Sequence, residues 1–508
     1  MHYHPNQSAL DAWLEKADNV NEIKRITAPV DPHLELATIA YLRGLKRSPA
    51  LLFENIIGHP GHRLLINVIG SSVPRLCLTI GEEPVDHPLQ MIELLKKKMG
   101  KKLPPREVPA SAAICNQNIR TGSDIDLTRF PAPFMWPLDG GRYLGTSDAV
   151  ITKDPESGRI NIGTYRMMIK GPRELGLYTS PGKDGTVDRD KWWKMGKPMP
   201  VAAAFGIDPL LFLVGATSFP KTESEFDFYG GIAGHPMEVF QSDVTGLPVP
   251  ARAEIVVEGF VYPDETFTEG PFGEFTGYYA REGHNPYVRI EKVRFRENPT
   301  LTCALANEPA LLWSSIRASA IWADLERIGV PGIKGVWCIP EAAGAGFTVV
   351  ALRQMYAGHA SQVMTLAAQC TGGAYFAKYV IVVDDDVDPT DTNQVLWAMA
   401  TRSRPAQSIE ILRETWNTFL DPSLNPPEVR PWGSKCLINA CMDYRFIKSF
   451  AKRSNLSKPH YDRVVSRWSE LGFDDKPPLI TVFETQSKLS EESASASSPG
   501  LVSAQREM

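Results

Sequence analysis

The sequence predicts a multidomain α/β protein, α+β in overall arrangement. An N-terminal α/β domain is expected over residues 1–115, a central β-barrel or sandwich over 116–307, and a connecting helix over 308–328. A C-terminal α/β domain over 329–485 and a flexible tail over 486–508 complete it. Three observations carry this reading. A chain of 508 residues exceeds what one core can bury. Helical and strand periodicities alternate at both ends, whereas from about 116 to 300 strands are separated only by turn clusters such as Pro131-Ala132-Pro133 and Asp139-Gly140-Gly141. After about 486, serine and glutamate dominate and large apolar residues are few, which cannot repay the entropy of folding.

Taken in order, Ser8 ahead of Leu10, Trp13 and Leu14 predicts a capped amphipathic helix. Asp31-Pro32 predicts an N-cap and first-turn proline for a second helix carrying Leu36, Ile39 and Ala40. Strands are expected at Leu51–Asn55 and Arg63–Gly70, around a turn at Gly58-His59-Pro60-Gly61. Pro88–Lys98 is a helix whose terminal lysines suit its dipole and whose stop is Gly100. In the central region Ala253, Ile255 and Val257 alternate along one strand. Val288 and Ile290 keep one phase and Val293 and Phe295 the other, which predicts a bulge near Glu291-Lys292. Leu311–Ile328 reads as a helix stopping at Gly329, Val336–Cys338 and Phe347–Leu352 as strands, and Ser361–Gln369 as a helix. Tyr379–Val383 is a β-branched run expected to be buried, with a helix through Val395-Leu396-Trp397 beyond it. Tyr461, Val464, Val465, Trp468 and Leu471 share one face of a last helix ending at Gly472.

Composition excludes several functions. The net charge of -5 gives no basic excess for nucleic acid. Seven cysteines form no CxxC pair and are odd in number, so neither a zinc knuckle nor a disulfide framework is indicated, and a reducing compartment fits. The N-terminus shows no basic region followed by an apolar run. The longest apolar segment, Val201–Phe219, is broken by Asp208-Pro209 and two glycines, so a buried strand, a turn and a second buried element are expected in place of a membrane span. A cytoplasmic location without membrane or nucleic-acid partners is the expectation.

The stretch from Thr268 to Tyr279 concentrates the chemistry: Glu269 and Glu274 flank a segment of glycines and a proline. A turn there brings two acids to one cleft for acid/base work, and its glycines would let the backbone approach a flat ligand. The alternative is a polar hairpin whose acids face water. Asn161-Ile162-Gly163-Thr164-Tyr165-Arg166-Met167-Met168 resembles a strand on which Asn161 and Arg166 share a face only if Gly163 permits a bulge. Arg166 has the planar fork that grips a carboxylate, or is a surface arginine. Asn161 and Glu225 offer hard oxygens suited to Mg²⁺ or Mn²⁺, a weak signal with only two donors. Asp384–Asp386 could bind a metal, although solvated acids capping the next helix is the simpler reading. Lys435, after Gly433-Ser434, is placed to meet a phosphate, but without a G-x-x-x-x-G-K-[ST] loop or a G-x-G-x-x-G fingerprint. No H-E-x-x-H and no G-x-S-x-G occurs, which excludes those metalloprotease and hydrolase signatures. His359 reads as a helix-start residue.

Together, Asn161–Arg166, Pro220–Glu225, Glu269–Tyr278, Tyr356–His359 and Gly433–Lys435, in that order, resemble the UbiD-type reversible decarboxylases, over about residues 25–480. The resemblance implies an N-terminal α/β domain, a split β-barrel that binds prenylated FMN, and a C-terminal α/β domain used in oligomerisation, as a homodimer or homohexamer. It implies catalytic roles for Arg166, Glu269 and Glu274, and cofactor contacts from Asn161, Ile162, Thr164, Tyr165, Arg166 and Lys435. It further implies a divalent metal, usually Mn²⁺, on Asn161 and Glu225 with K⁺ nearby, and a flavin prenyltransferase as cofactor supplier. Gly182 stands where many members carry a histidine metal ligand, so water, Asp184 or a backbone carbonyl would have to complete the sphere. The implied substrate is an aromatic or heteroaromatic carboxylic acid that releases CO₂. Alternatives are a cinnamate-like unsaturated acid, a non-catalytic flavin-binding protein, or a metal-dependent phosphate-binding hydrolase. Loss of CO₂ from an sp² carbon needs an electron sink that side chains lack, and the modified flavin supplies it.

Overall fold

The computed structural model describes residues 4, 6–45, 48–217, 219–305, 311–344, 346–424, 432–478 and 480. The predicted tail and the 307/308 boundary lie outside the described residues. Nearest the N-terminus, the helix Ala9–Asn19 is capped by Ser8, whose hydroxyl accepts from Asp11 N–H at 2.8 Å. It buries Leu10, Trp13 and Leu14 against a four-stranded sheet. That sheet is ordered Ile23–Ile26, Ala50–Phe53, Arg63–Ile66, Thr300–Cys303, so its last strand comes from a distant part of the chain. The second helix starts at Glu35, later than Asp31-Pro32 predicts. Asp31 accepts from His33 N–H and Leu34 sits at φ +66°, so the acid builds a preceding turn.

The central region is an open ten-stranded sheet curled into a half-barrel, as the split barrel requires. Along its spine Tyr143–Gly145, Met167–Gly171, Glu174–Gly176, Gly283–Phe295, Ile255–Val261, Met199–Phe205, Asp148–Lys153 and Ile160–Gly163 follow one another. Pairing along this spine is antiparallel throughout. Only Asp148–Lys153 with Ile160–Gly163, and Met167–Gly171 with Glu174–Gly176, are tight hairpins; the helices Asp184–Lys194, Pro209–Gly215 and Glu225–Ala233 lie between other strands, where the sequence predicts turn clusters alone. The expected bulge is present: Lys292 pairs with Glu258 and Ile290 with Gly259, leaving Glu291 unpaired. Val201–Phe219 resolves into the buried strand Met199–Phe205 and the helix Pro209–Gly215, capped by Asp208.

The connecting helix spans Leu311–Ile328. Beyond it, five strands are ordered Ile333–Cys338, Phe347–Leu352, Tyr379–Asp384, Trp432–Ala440, Ile409–Trp416. His359 opens the helix His359–Gln369, and its neighbour Thr392–Arg402 is capped by Asp391. The last helix ends at Val465, and turns carry the chain on to Gly472. Asp384 and Asp386 are neither solvated nor capping: both are buried and hydrogen-bonded to Arg402, and Arg453 reaches Asp386 as well. A lone acidic run at a strand end gives no hint of an arginine supplied eighteen residues later. All seven cysteines are free, and no helix among the described residues is long and apolar enough to cross a membrane.

Candidate active site

The strand expected over Asn161–Met168 breaks, and the break builds the site. Ile160–Gly163 ends at Thr164-Tyr165, and Arg166 makes a single bridge to Tyr178 before Met167–Gly171 begins. Asp148 holds the break: its carbonyl accepts from Thr164 Oγ1 at 3.0 Å and its Oδ1 from Tyr165 N–H at 3.2 Å. Thr164, Tyr165 and Arg166 thereby face a cavity of about 340 Å³ whose other walls include Tyr178, Phe272, Phe275, Trp313 and Tyr375.

Glu269 ends the strand Thr266–Glu269, is fully buried, and receives Arg166 in bidentate form, Nε to Oε1 and Nη2 to Oε2, each at 2.9 Å. Tyr143 Oη donates to Oε1 at 2.7 Å and Asn285 Nδ2 to Oε2 at 3.2 Å, so neither carboxylate oxygen lacks a donor. Arg166 Nη1 donates to Glu274 Oε1 at 2.5 Å. The guanidinium also lies over the Tyr178 ring at 3.8 Å. Burial works against its charge, but Glu274 and Glu269 outweigh it and hold its pKa above the ordinary value. Burial pushes the Glu274 carboxyl up, and the charge of Arg166 opposes that push. The two acids therefore differ: one is locked by four donors, the other touches the arginine through one oxygen on the cavity side.

The glycines of the stretch do other work than the sequence suggests. Phe272–Gly273 and Tyr279–Ala280 pair as a short hairpin, with Glu274 N–H on Tyr278 O and Gly277 at φ +80° in the turn. A Cβ on Gly273 would stand 2.2 Å from Trp136 Cδ1, so this glycine admits an indole ring, not a flat ligand. Asp139 pins the same residue by accepting its N–H at 2.9 Å. Gly273→Ala is expected to cost about 1–3 kcal/mol through overpacking and, by displacing Glu274, to lower turnover about tenfold, a change of roughly 1.4 kcal/mol in barrier. Melting curves and steady-state rates check both.

Other sequence candidates fall outside this cavity. Asn161 Nδ2 donates to Thr152 Oγ1 at 3.0 Å, and Ile162 is buried in a core cluster with its N–H on Glu225 Oε2 at 2.8 Å. Glu225 Oε1 accepts from Arg159 Nη2 at 3.1 Å, and Arg159 Nη1 reaches Asp184 at 3.0 Å. An arginine, tied also to Glu223 O at 2.7 Å, thus bridges the two acids that would have to complete a metal sphere. A hard dication needs several free oxygens and no cation among them. The donor set does not fit Mn²⁺ or Mg²⁺, and no cluster of three or more His, Cys, Asp or Glu suited to a metal occurs among the described residues. Lys435 also stands off the cavity wall: its ammonium is buried and donates to the carbonyls of Ala368, Gly373 and Ala374, each at 2.7 Å.

Sequence reasoning missed Tyr143, Asn285 and Tyr178, which sit in ordinary strand or turn contexts. It also missed Lys183 and Arg317, both lining the cavity. Arg317 left a signal: it is the one charged residue in the first twelve of the connecting helix. Burial and the nearby charge of Arg317 push the Lys183 ammonium pKa down.

Fold and site together place the chain among carboxy-lyases. Models of the 3-octaprenyl-4-hydroxybenzoate carboxy-lyase N-terminal, Rift-related and C-terminal domains match residues 14–95, 106–309 and 310–440. The chain belongs to the UbiD family. Its structure is similar to the UbiD-class enzyme HmfF from Pelotomaculum thermopropionicum in complex with FMN, at 26% identity and TM-score 0.81, covering 89% of this chain and 98% of that one. An evolved dimeric form of HmfF in complex with prFMN matches at 24% identity and TM-score 0.78, covering 90% and 98%. The closed form of Sedimentibacter hydroxybenzoicus vanillic acid decarboxylase matches at 27% identity and TM-score 0.80, covering 93% and 100%. Apo Klebsiella pneumoniae 3,4-dihydroxybenzoic acid decarboxylase matches at 26% identity and TM-score 0.79, covering 92% and 100%.

Proposed function

We propose that the chain reversibly decarboxylates an aromatic or heteroaromatic carboxylic acid, with prenylated FMN bound in the cavity against Thr164, Tyr165 and Arg166. The observation that carries this reading is the unequal treatment of the two acids on Arg166. Glu269 uses two N–H groups and fixes the plane of the guanidinium. Glu274 uses a third, and is the partner that an incoming substrate carboxylate can displace. Once displaced, Glu274 loses its cation and gains an anion nearby, and both changes favour its neutral form. It then holds the proton that the ring carbon needs after CO₂ departs. The bound cofactor supplies the electron sink; this chain's residues orient the acid, keep water out with aromatic walls, and deliver the proton.

CO₂ release is expected to fall as pH rises through the Glu274 pKa, because only the protonated acid donates and that pKa lies above the ordinary carboxylate value. A kcat/KM profile checks this, and a rate flat with pH across the carboxylate range and up to neutrality would contradict the role. A panel of aromatic and cinnamate-like acids, assayed for CO₂ release with enzyme co-produced with a flavin prenyltransferase as cofactor supplier, tests the substrate class. Self-association through the C-terminal region, as a homodimer or homohexamer, is supported by its edge strand Ile409–Trp416, which leaves Ile411 49% and Trp416 56% exposed and one side unpaired among the described residues.

A further inference from the structure

Three cations line the cavity: Arg166, Lys183 and Arg317. Arg166 is neutralised by two glutamates. Neither Lys183 nor Arg317 has a carboxylate within 4.0 Å among the described residues. Arg317 Nη1 donates to the Tyr375 carbonyl, and the two charges each stand 5.6 Å from the centroid of the Tyr375 ring. The remaining acid on the wall, Glu341, is solvent-exposed and ion-pairs with neither. Two half-buried like charges around one ring oppose each other and the desolvation they suffer, and a bound anion relieves both. Arg159 ion-pairs with both Glu225 and Asp184, the acids that an implied metal would need, and Asp184 directly follows Lys183.

We propose that Lys183 and Arg317 form a second anion site, distinct from Arg166, that binds an oxyanion directly and without a divalent metal. The oxyanion is the phosphate of the flavin or a second acidic group on the substrate, and the site rests on the flavin-dependent reading above. Lys183 leads into the helix Asp184–Lys194, whose N-terminal end adds to the positive potential there.

FMN and riboflavin, which differ only in the phosphate, are titrated by fluorescence into the full chain, Lys183→Met and Arg317→Met, with and without EDTA, alongside metal analysis of the purified protein. If the cofactor supplies the anion, FMN affinity falls at least tenfold in both variants, riboflavin affinity is unchanged, and EDTA does not weaken FMN binding. If the substrate supplies it, both flavins bind as before, while KM rises at least tenfold for aromatic dicarboxylic acids and is unchanged for monocarboxylic ones. Lys183→Arg should retain the wild-type values in either case. Unchanged flavin affinities with unchanged KM values would overturn the proposal, as would an FMN affinity that falls in the variants only when stoichiometric metal is present. If the wild type binds neither flavin, the flavin reading fails instead. Inorganic phosphate followed by ³¹P NMR then decides the anion site alone: binding lost in the variants supports it, and no wild-type binding overturns it.

Discussion

Replacing Glu274 by Gln is expected to lower CO₂ release by about 10²- to 10⁴-fold, the range for removal of a positioned proton donor, while flavin still binds. The amide keeps the shape and can still contact Arg166, so the cavity wall is preserved. What it lacks is an acidic proton and a charge that changes with the state of the guanidinium. The corresponding change at Glu269 should act differently. Glu269→Gln breaks a bidentate contact in a fully buried position, frees the plane of Arg166 and weakens the bonds from Tyr143 and Asn285. A buried charge that loses its partner is strongly destabilising, so thermal stability should drop along with activity. Rates, flavin binding and melting curves on both variants separate the two roles. Full turnover by the Glu274 variant would remove the proton-donor assignment.

Lys435→Met is expected to destabilise the C-terminal region by about 3 kcal/mol or more, because three carbonyls lose a donor inside the protein. For a domain of this size that is a drop of roughly 6–12 °C in melting temperature. Burial pushes the Lys435 ammonium down to about 8, and methionine removes that cost, which offsets part of the loss. The larger consequence is geometric. The carbonyls of Gly373 and Ala374 lie immediately before Tyr375, so Lys435 sets the ring that both Lys183 and Arg317 approach to 5.6 Å. Lys435 acts as a positioning residue, and its loss should lower stability first and raise substrate KM second. A variant with unchanged melting and a selective loss of FMN over riboflavin would instead restore the phosphate role that its place after Gly433-Ser434 suggests.

Local patterns were the most legible part of this protein. The connecting helix Leu311–Ile328, the Ser8 cap, the bulge at Glu291 and the division of Val201–Phe219 all follow from periodicity and breaker residues, which report on neighbours within a few positions. Where reading failed, the missing partner lay far along the chain. Asp31-Pro32 looks like a cap until Leu34 adopts positive φ and His33 bridges to Phe134. Asp384 and Asp386 look solvated until Arg402 reaches them.

The same division runs through the site. By itself the sequence determined the family, the three segments, and the pairing of Arg166 with Glu269 and Glu274, because the motifs that carry them are contiguous and ordered. Tertiary structure alone decided how the two glutamates differ, that Gly273 makes room for Trp136, that Arg159 closes the expected metal site, and that Lys435 serves three carbonyls. Each of these rests on atoms brought within about 3 Å from positions tens to more than a hundred residues apart. Hydrogen bonds and burial act at that range, whereas residue spacing along one chain does not encode it.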